Sequence, residues 1–175
     1  MIPRDKIVTD FAEWTALSAA RSGSSHPKSR DDLYPLLRLP DYKAILIGSP
    51  ITADKFDDWH EQSTSRLNAE NPKLCIGWAA KLLNVYLKTC VYLAGQGRPG
   101  LVNCIHPPID NGLREGIRDE YRNDSEIWEK VRRMSPISGI TDYKTYASII
   151  DGCRLIARRR GILLIEVEEL WKGTE

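Results

Sequence analysis

Apolar residues recur along most of this chain at the three- and four-residue spacing typical of amphipathic helices. The first predicted helix covers residues 5–20, and four apolar residues share one face of it: Ile7, Phe11, Trp14 and Leu17. The polar stretch 22–32, which contains His26, is typical of a surface loop. Two prolines interrupt the apolar passage 33–47, whose AILIG run fits either a strand or a helix.

The middle of the chain predicts a pair of longer helices. Thr52 is placed to cap the first, which runs to about Asn68. The central helix follows over about 73–94, with one broad apolar side: Leu82, Leu83, Tyr86, Leu87 and Cys90. The glycine-rich loop 95–100 ends it.

Beyond the loop, Pro107 and Pro108 favour the turn and first positions of a helix over about 108–122. Candidate caps mark two further helices: Asp124 or Ser125 and Thr141 or Asp142 at their starts, and Gly161 at the end of the second. The tail 162–171 fits a strand by its first residues, but its apolar spacing favours a helix.

These elements predict a mainly α protein, a single-domain helical bundle with short loops and at most one or two minor strands. Its 175 residues suit one domain, with a more irregular part over 1–50 and a helical core over 51–175.

Composition changes this picture little. The formal net charge is +1, so no global field favours nucleic acid or membranes. No apolar run has the roughly 18 residues of a membrane span, and the N-terminus does not look like a signal peptide, so we expect a cytoplasmic protein. The cysteines form no C-x-x-C pair and no metal-ligand set has suitable spacing, so neither a metal nor a cofactor is expected.

The candidate chemistry lies around the central helix. Lys81, Asn84 and Lys88 form a polar stripe opposite its apolar side, and Asn is a poor residue for a helix interior. His106 precedes two prolines that hold its backbone extended, and Asp110 follows at the start of the next helix. An amine, an amide, an imidazole and a carboxylate could therefore converge, either as an active site or as a buried structural cluster.

A second candidate surface is basic. Arg154, Arg158, Arg159 and Arg160 cluster near the end of the Thr141 helix, where cations also suit the helix dipole. Four residues are candidates for contact with a nucleic-acid backbone: Lys88, Arg98, Arg154 and Arg158.

Two segments resemble a family of small bacterial proteins: W-A-A-K-L-L-N-V-Y-L-K at 78–88 and I-H-P-P-I-D at 105–110. The spacing of apolar and aromatic residues from Tyr143 to Trp171 resembles that family too. The similarity covers roughly residues 50–172 and implies a common helical fold, without implying any chemistry.

A looser similarity is to the helix-hairpin-helix DNA glycosylases, in which a turn precedes a helix that starts near a lysine and an aspartate opens a later helix. Gly77, Lys81 and Asp110 follow that order, although the hairpin's second glycine is missing and the 95–100 loop lengthens the gap. The resemblance implies that Lys81 attacks the sugar of an extruded nucleoside while Asp110 stabilises the developing positive charge. Three aromatic residues are candidates to stack on the extruded base: Trp78, Tyr86 and Tyr92.

Two interpretations follow. In the favoured one, the chain is a small soluble helical protein whose Lys81, Asn84, His106 and Asp110 form a structural or partner-binding cluster, with a protein or a nucleic acid as the possible partner. In the alternative, it is a nucleic-acid-acting enzyme of glycosylase/lyase type that uses Lys81 and Asp110.

Overall fold

The computed structural model describes residues 2–20 and 29–173, and over these residues the chain is mainly α, without strands. The α-helices within this part are α1 (Pro3–Ala20), α2 (Arg30–Leu37), α3 (Tyr42–Leu46), α4 (Ala53–Glu70), α5 (Ile76–Leu87), α6 (Asn111–Tyr121), α7 (Ser125–Val131) and α8 (Tyr143–Arg160). Shorter segments supplement them: a π-helix over Lys88–Leu93 and 3₁₀ turns over Leu101–Asn103, Arg132–Met134, Ile137–Gly139 and Leu164–Leu170. None of the helices described is both long enough and apolar enough to cross a bilayer.

Helix α5 forms the centre of the molecule, and every one of its residues is buried. Its Leu82–Leu83 side joins the core made with α1, α2 and α4, whereas Ile76 and Ala80 join a second core made with α6, α7 and α8. The predicted apolar side is confirmed as buried. The opposite side is buried too, because a helix between two cores has no solvated face.

The predicted apolar face of α1 is wrong for three of its four residues, and only Leu17 is buried. Ile7, Phe11 and Trp14 are exposed, at 68%, 52% and 63%. The buried side consists of three alanines, one leucine and one glutamate: Ala12, Glu13, Ala16, Leu17 and Ala20. Alanines shorten the approach between packed helices, so α1 lies against α5 through its small face instead of its bulky one.

Other boundaries are close to prediction. The ambiguous 33–47 passage is helical, in α2 and α3, and α4 begins directly after Thr52. Helix α6 starts at Asn111, later than expected, because the extended His106–Pro107–Pro108 run precedes it. The predicted caps Asp124, Asp142 and Gly161 are confirmed, and the tail is a 3₁₀ helix. The predicted loop over 22–32 falls largely outside the residues described, as does His26.

Candidate functional site

The structure divides the four central candidates between two places. Asn84 and His106 belong to a buried polar network, whereas Lys81 and Asp110 pair at an open cleft. Lys81 and Asn84 are three residues apart on α5, so one turn of helix serves both. The expected single cluster is therefore wrong in its layout, although each of its members has a polar partner.

The orientation of the Asn84 side chain follows from the Pro107 carbonyl, which can only accept a hydrogen bond. Nδ2 of Asn84 donates to that carbonyl at 3.2 Å and to the Tyr146 hydroxyl at 2.9 Å. Oδ1 then accepts from Nε2 of His60 at 2.9 Å. Because His60 carries its proton on Nε2, its Nδ1 accepts from the Tyr143 hydroxyl at 3.1 Å.

A second chain of hydrogen bonds starts at Tyr146. Its hydroxyl accepts from Asn84, so its own proton is free to be donated to Nδ1 of His106 at 3.0 Å. Nε2 of His106 donates to Asp57 at 3.0 Å. Arg154 also binds Asp57, at 2.8 and 2.6 Å to its two oxygens. Each proton in this second chain has one acceptor, whereas the Tyr143 hydroxyl can donate to His60 or to the Asp57 backbone carbonyl at 3.3 Å. With one ring proton each, both imidazoles are neutral.

Burial explains the titration of this network. It lowers the pKa of His60 well below its ordinary value, and the nearby His106 adds to the effect. Burial also lowers the pKa of His106, against the opposing pull of Asp57. Burial alone would raise the pKa of Asp57, but hydrogen bonds from His106 and Arg154, together with the charge of Arg154, outweigh it, so the pKa lies below the ordinary value.

This network is shielded from solvent, because the side chains at its centre are almost without exposure: His60, Asn84, His106 and Tyr146. It joins α4, α5 and α8 to the segment before α6. Through its bond to the Pro107 carbonyl, Asn84 holds the segment that precedes α6. Sequence reasoning did not include His60 among the candidates, although its position four residues after the buried Phe56 is a signal that places it inward.

Lys81 and Asp110 form the second place. Nζ of Lys81 lies 3.1 Å from Oδ2 of Asp110, and the two side chains are 9% and 20% exposed. Asp110 is the N-cap of α6, where its Oδ1 accepts from the Leu113 amide at 3.0 Å. The same oxygen accepts from the Trp171 indole at 3.0 Å. The carboxylate is thus held on one side and presented to the amine on the other.

The pair lines an open cleft of about 920 Å³. Its walls come from α5, the start of α6, the 135–138 turn and the C-terminal segment. Two indoles, those of Trp78 and Trp171, border it, and Lys81 Nζ lies 5.4 Å from the centre of the Trp78 ring. Sequence reasoning missed Trp171 because nothing local links the tail to α6. Tyr86 and Tyr92, the other two aromatic candidates, are not among the lining residues.

The residues predicted to contact nucleic acid differ in how many ion pairs and hydrogen bonds they already make within the protein. Lys88 lines the cleft and binds both oxygens of Glu168, at 2.7 and 2.9 Å. Arg98 donates to the backbone carbonyls of Ser49 and Ala44, away from the cleft. Arg154 is engaged by Asp57 and Asp151, and Arg158 is exposed. The four do not form one basic track along the cleft.

The first turn of α5, which contains Gly77, differs from a hairpin whose backbone amides bind phosphate. The Gly77 amide donates to the Ile140 carbonyl at 3.0 Å. A Cβ added at Gly77 would lie 2.5 Å from the Ile137 carbonyl oxygen. This glycine therefore serves close packing against the 137–140 turn, and its amide points into the protein.

Comparisons with protein-family models, with curated proteins and with solved structures find no match to this chain. The geometry of the two sites therefore has to carry the functional argument.

Proposed function

We propose that the cleft is an active site for amine chemistry on DNA, of the glycosylase/lyase type, with Lys81 as nucleophile and Asp110 as its partner. The observation that carries the proposal is the placement of this pair, 3.1 Å apart, in an open cleft bordered by two indoles. The cleft has the size and aromatic walls that suit an extruded nucleoside. The loosely glycosylase-like order of Lys81 and Asp110 supports the same chemistry.

The reaction joins the lysine amine to the aldehyde carbon of an abasic sugar. Asp110 takes a proton from Lys81, whose lone pair then forms a bond to C1′. The two remaining amine protons leave with the aldehyde oxygen as water, which gives a C=N bond. Loss of a C2′ proton to water then breaks the C3′–O bond, and the phosphate departs with the electron pair.

On an intact nucleoside, the same attack at C1′ expels the base with the electrons of its bond. The base takes up the proton that the amine loses. Asp110 passes that proton on to the departing base, so it is a carboxylate again as positive charge develops on the sugar, and it then provides the compensating charge.

Weak binding to the DNA backbone is part of the proposal. Lys88 is paired with Glu168, and Lys172 with Asp119, so the cations near the cleft are largely neutralised. The net charge of +1 adds no long-range attraction. We therefore expect a modest affinity that depends only weakly on salt, because few phosphates are neutralised, and the test below is designed for low ionic strength.

Borohydride trapping tests the proposal. The protein is incubated with a duplex that contains one abasic site, and hydride reduction of a Schiff base would link the two covalently. We expect a covalent complex with the parent protein and none with Lys81→Arg, which keeps the charge facing Asp110 but removes the primary amine. Lys88→Arg is the matched control, because Lys88 lies on the same cleft and is not assigned as the nucleophile.

The control should be trapped as efficiently as the parent. A covalent complex that persists in Lys81→Arg would contradict the assignment of the nucleophile. Absence of any complex with the folded parent, on abasic DNA and on single-stranded abasic DNA alike, would reject the enzymatic proposal. The pair would then be a structural ion pair, as the other interpretation of the sequence has it.

A further inference from the structure

The cleft has one wall that comes from the far end of the chain. Residues 164–173, called here the C-terminal strap, consist of the 3₁₀ helix Leu164–Leu170 and the three residues after it. The strap runs along α6, and the Lys172 amide donates to the Gly112 carbonyl at 3.2 Å. It therefore lies beside the helix that Asp110 caps.

Two glycines of α6 seat the strap. A Cβ added at Gly116 would lie 1.7 Å from the Leu170 carbonyl oxygen, which is far inside contact distance. A Cβ added at Gly112 would lie 2.5 Å from both the Lys172 carbonyl oxygen and the Trp171 indole nitrogen. Glycine at these two positions, four residues apart on one face of α6, allows backbone to lie directly on backbone.

Ion pairs tie the strap to both sides of the cleft. Glu168 accepts from Lys88, which follows α5, and Lys172 pairs with Asp119 of α6. Between these ties, Trp171 donates its indole N–H to Oδ1 of Asp110 at 3.0 Å. The strap thus reaches the carboxylate itself.

We infer that Trp171 is a positioning residue for Asp110 and that the C-terminal strap is an integral part of the site. The Trp171 indole and the Leu113 amide both donate to Oδ1, so the carboxylate is fixed with Oδ2 towards Lys81. Without the indole N–H, the carboxylate can rotate about its bond to Cβ, and its alignment with the amine is lost. The catalytic consequence rests on the proposed function, whereas the positioning contact does not.

The hydrogen bond from the Trp171 indole to Asp110 is tested first, by a measurement that does not depend on activity. The indole ¹H–¹⁵N resonance of Trp171, assigned by its loss in Trp171→Phe, reports on the atom that donates to Asp110. We expect Asp110→Asn to shift this resonance and to speed its exchange with water, while Glu115→Gln, a carboxylate change on the same cleft, leaves it unchanged. If the shift of the indole resonance and its exchange with water were unchanged in Asp110→Asn, the inference would be overturned.

The catalytic consequence is tested by single-turnover trapping on abasic DNA. Trp171→Phe keeps an aromatic wall and removes the N–H, and Trp171 is 46% exposed, so the variant should fold. We expect the trapping rate at saturating DNA to fall about tenfold or more, with the half-saturating DNA concentration unchanged. Trp171→His, which retains a ring N–H, should recover part of that loss.

The close packing of the C-terminal strap on α6 is tested by glycine substitution. Gly116→Ala should displace the strap and lower the trapping rate, as Trp171→Phe does. Gly139→Ala is the matched control, because a Cβ there meets nothing nearer than the Pro136 ring at 3.9 Å. Equal trapping rates for Trp171→Phe and the parent would overturn the positioning role. A parent that is never trapped rejects the proposed function instead, and the indole resonance then still decides whether the contact exists.

Discussion

Replacing Asn84 by alanine should destabilise this protein more than any ordinary polar substitution. The side chain is 1% exposed and makes three hydrogen bonds, to His60, Tyr146 and the Pro107 carbonyl. Alanine leaves all three partners in place, and each of them loses the hydrogen bond that Asn84 provided. An unsatisfied buried group costs about 1–3 kcal/mol, so three of them set an upper range of about 3–9 kcal/mol.

The realised loss should lie near the lower end of that range. Tyr146 keeps its bond to His106, and a water molecule that entered the space left by the amide would restore some of the rest. We therefore expect Asn84→Ala to lower the free energy of unfolding by about 3–5 kcal/mol, a loss that is exceptional for a single substitution.

Urea unfolding at neutral pH, followed by far-ultraviolet circular dichroism, measures this loss. Asn68→Ala is the matched control, because Asn68 is half-buried and donates to a single acceptor, the Leu74 carbonyl at 3.0 Å. The control should lose about 0.5–1.5 kcal/mol. Equal losses for the two variants would refute the assignment of Asn84 as the centre of the network.

Three further predictions concern stability. Because burial holds the pKa of His60 and of His106 below the ordinary value, the unfolded chain binds more protons below about pH 6.5, and stability should fall from there towards about pH 4.5. The free energy of unfolding should change by at most about 1.4 kcal/mol per pH unit for each histidine. A urea midpoint that stays constant across this range would contradict the assignment of His60 and His106 as neutral. Leu83→Ala should cost about 2–5 kcal/mol and Leu93→Ala, at an exposed site, under about 0.5 kcal/mol; indistinguishable melting curves would place Leu83 outside the core. Gly77→Ala should lower the melting temperature, although alanine favours helices, because its Cβ would meet the Ile137 carbonyl at 2.5 Å; unchanged melting would contradict that close packing.

The class of fold and the order of the helices follow from local chemistry. Caps such as Asp142 and stops such as Gly161 act within one turn, so the sequence shows them directly. The face of α1 could not be chosen that way. The rule that bulky residues point inward would bury Phe11 and Trp14, whereas contact with α5 favours the alanine side.

The candidate site was predictable only in part, because the sequence shows local constraints but not contacts between distant residues. Lys81 and Asp110 stand out because a helix interior and a helix start constrain the residues found there. His60 and Trp171 become partners of the site only through contacts over 24 and 61 positions of sequence. Helical spacing can place His60 on the inner face of α4, but it cannot tell which distant residue His60 or Trp171 meets, and one chain alone supplies no other signal for it.

The buried network and the open cleft share one short segment of backbone, residues 106–110. A buried structural cluster and an active site can therefore both be present, with the first supporting the second. Asn84 holds the Pro107 carbonyl, and His106 is held by Tyr146 and Asp57, so both anchors lie within four residues of Asp110. The prolines between them fix the backbone, and little freedom remains to absorb a shift. Loosening the network should therefore move the carboxylate away from Lys81. Asn84→Ala, assayed under conditions where it remains folded, should trap abasic DNA more slowly than Asn68→Ala, and equal rates would separate the network from the cleft.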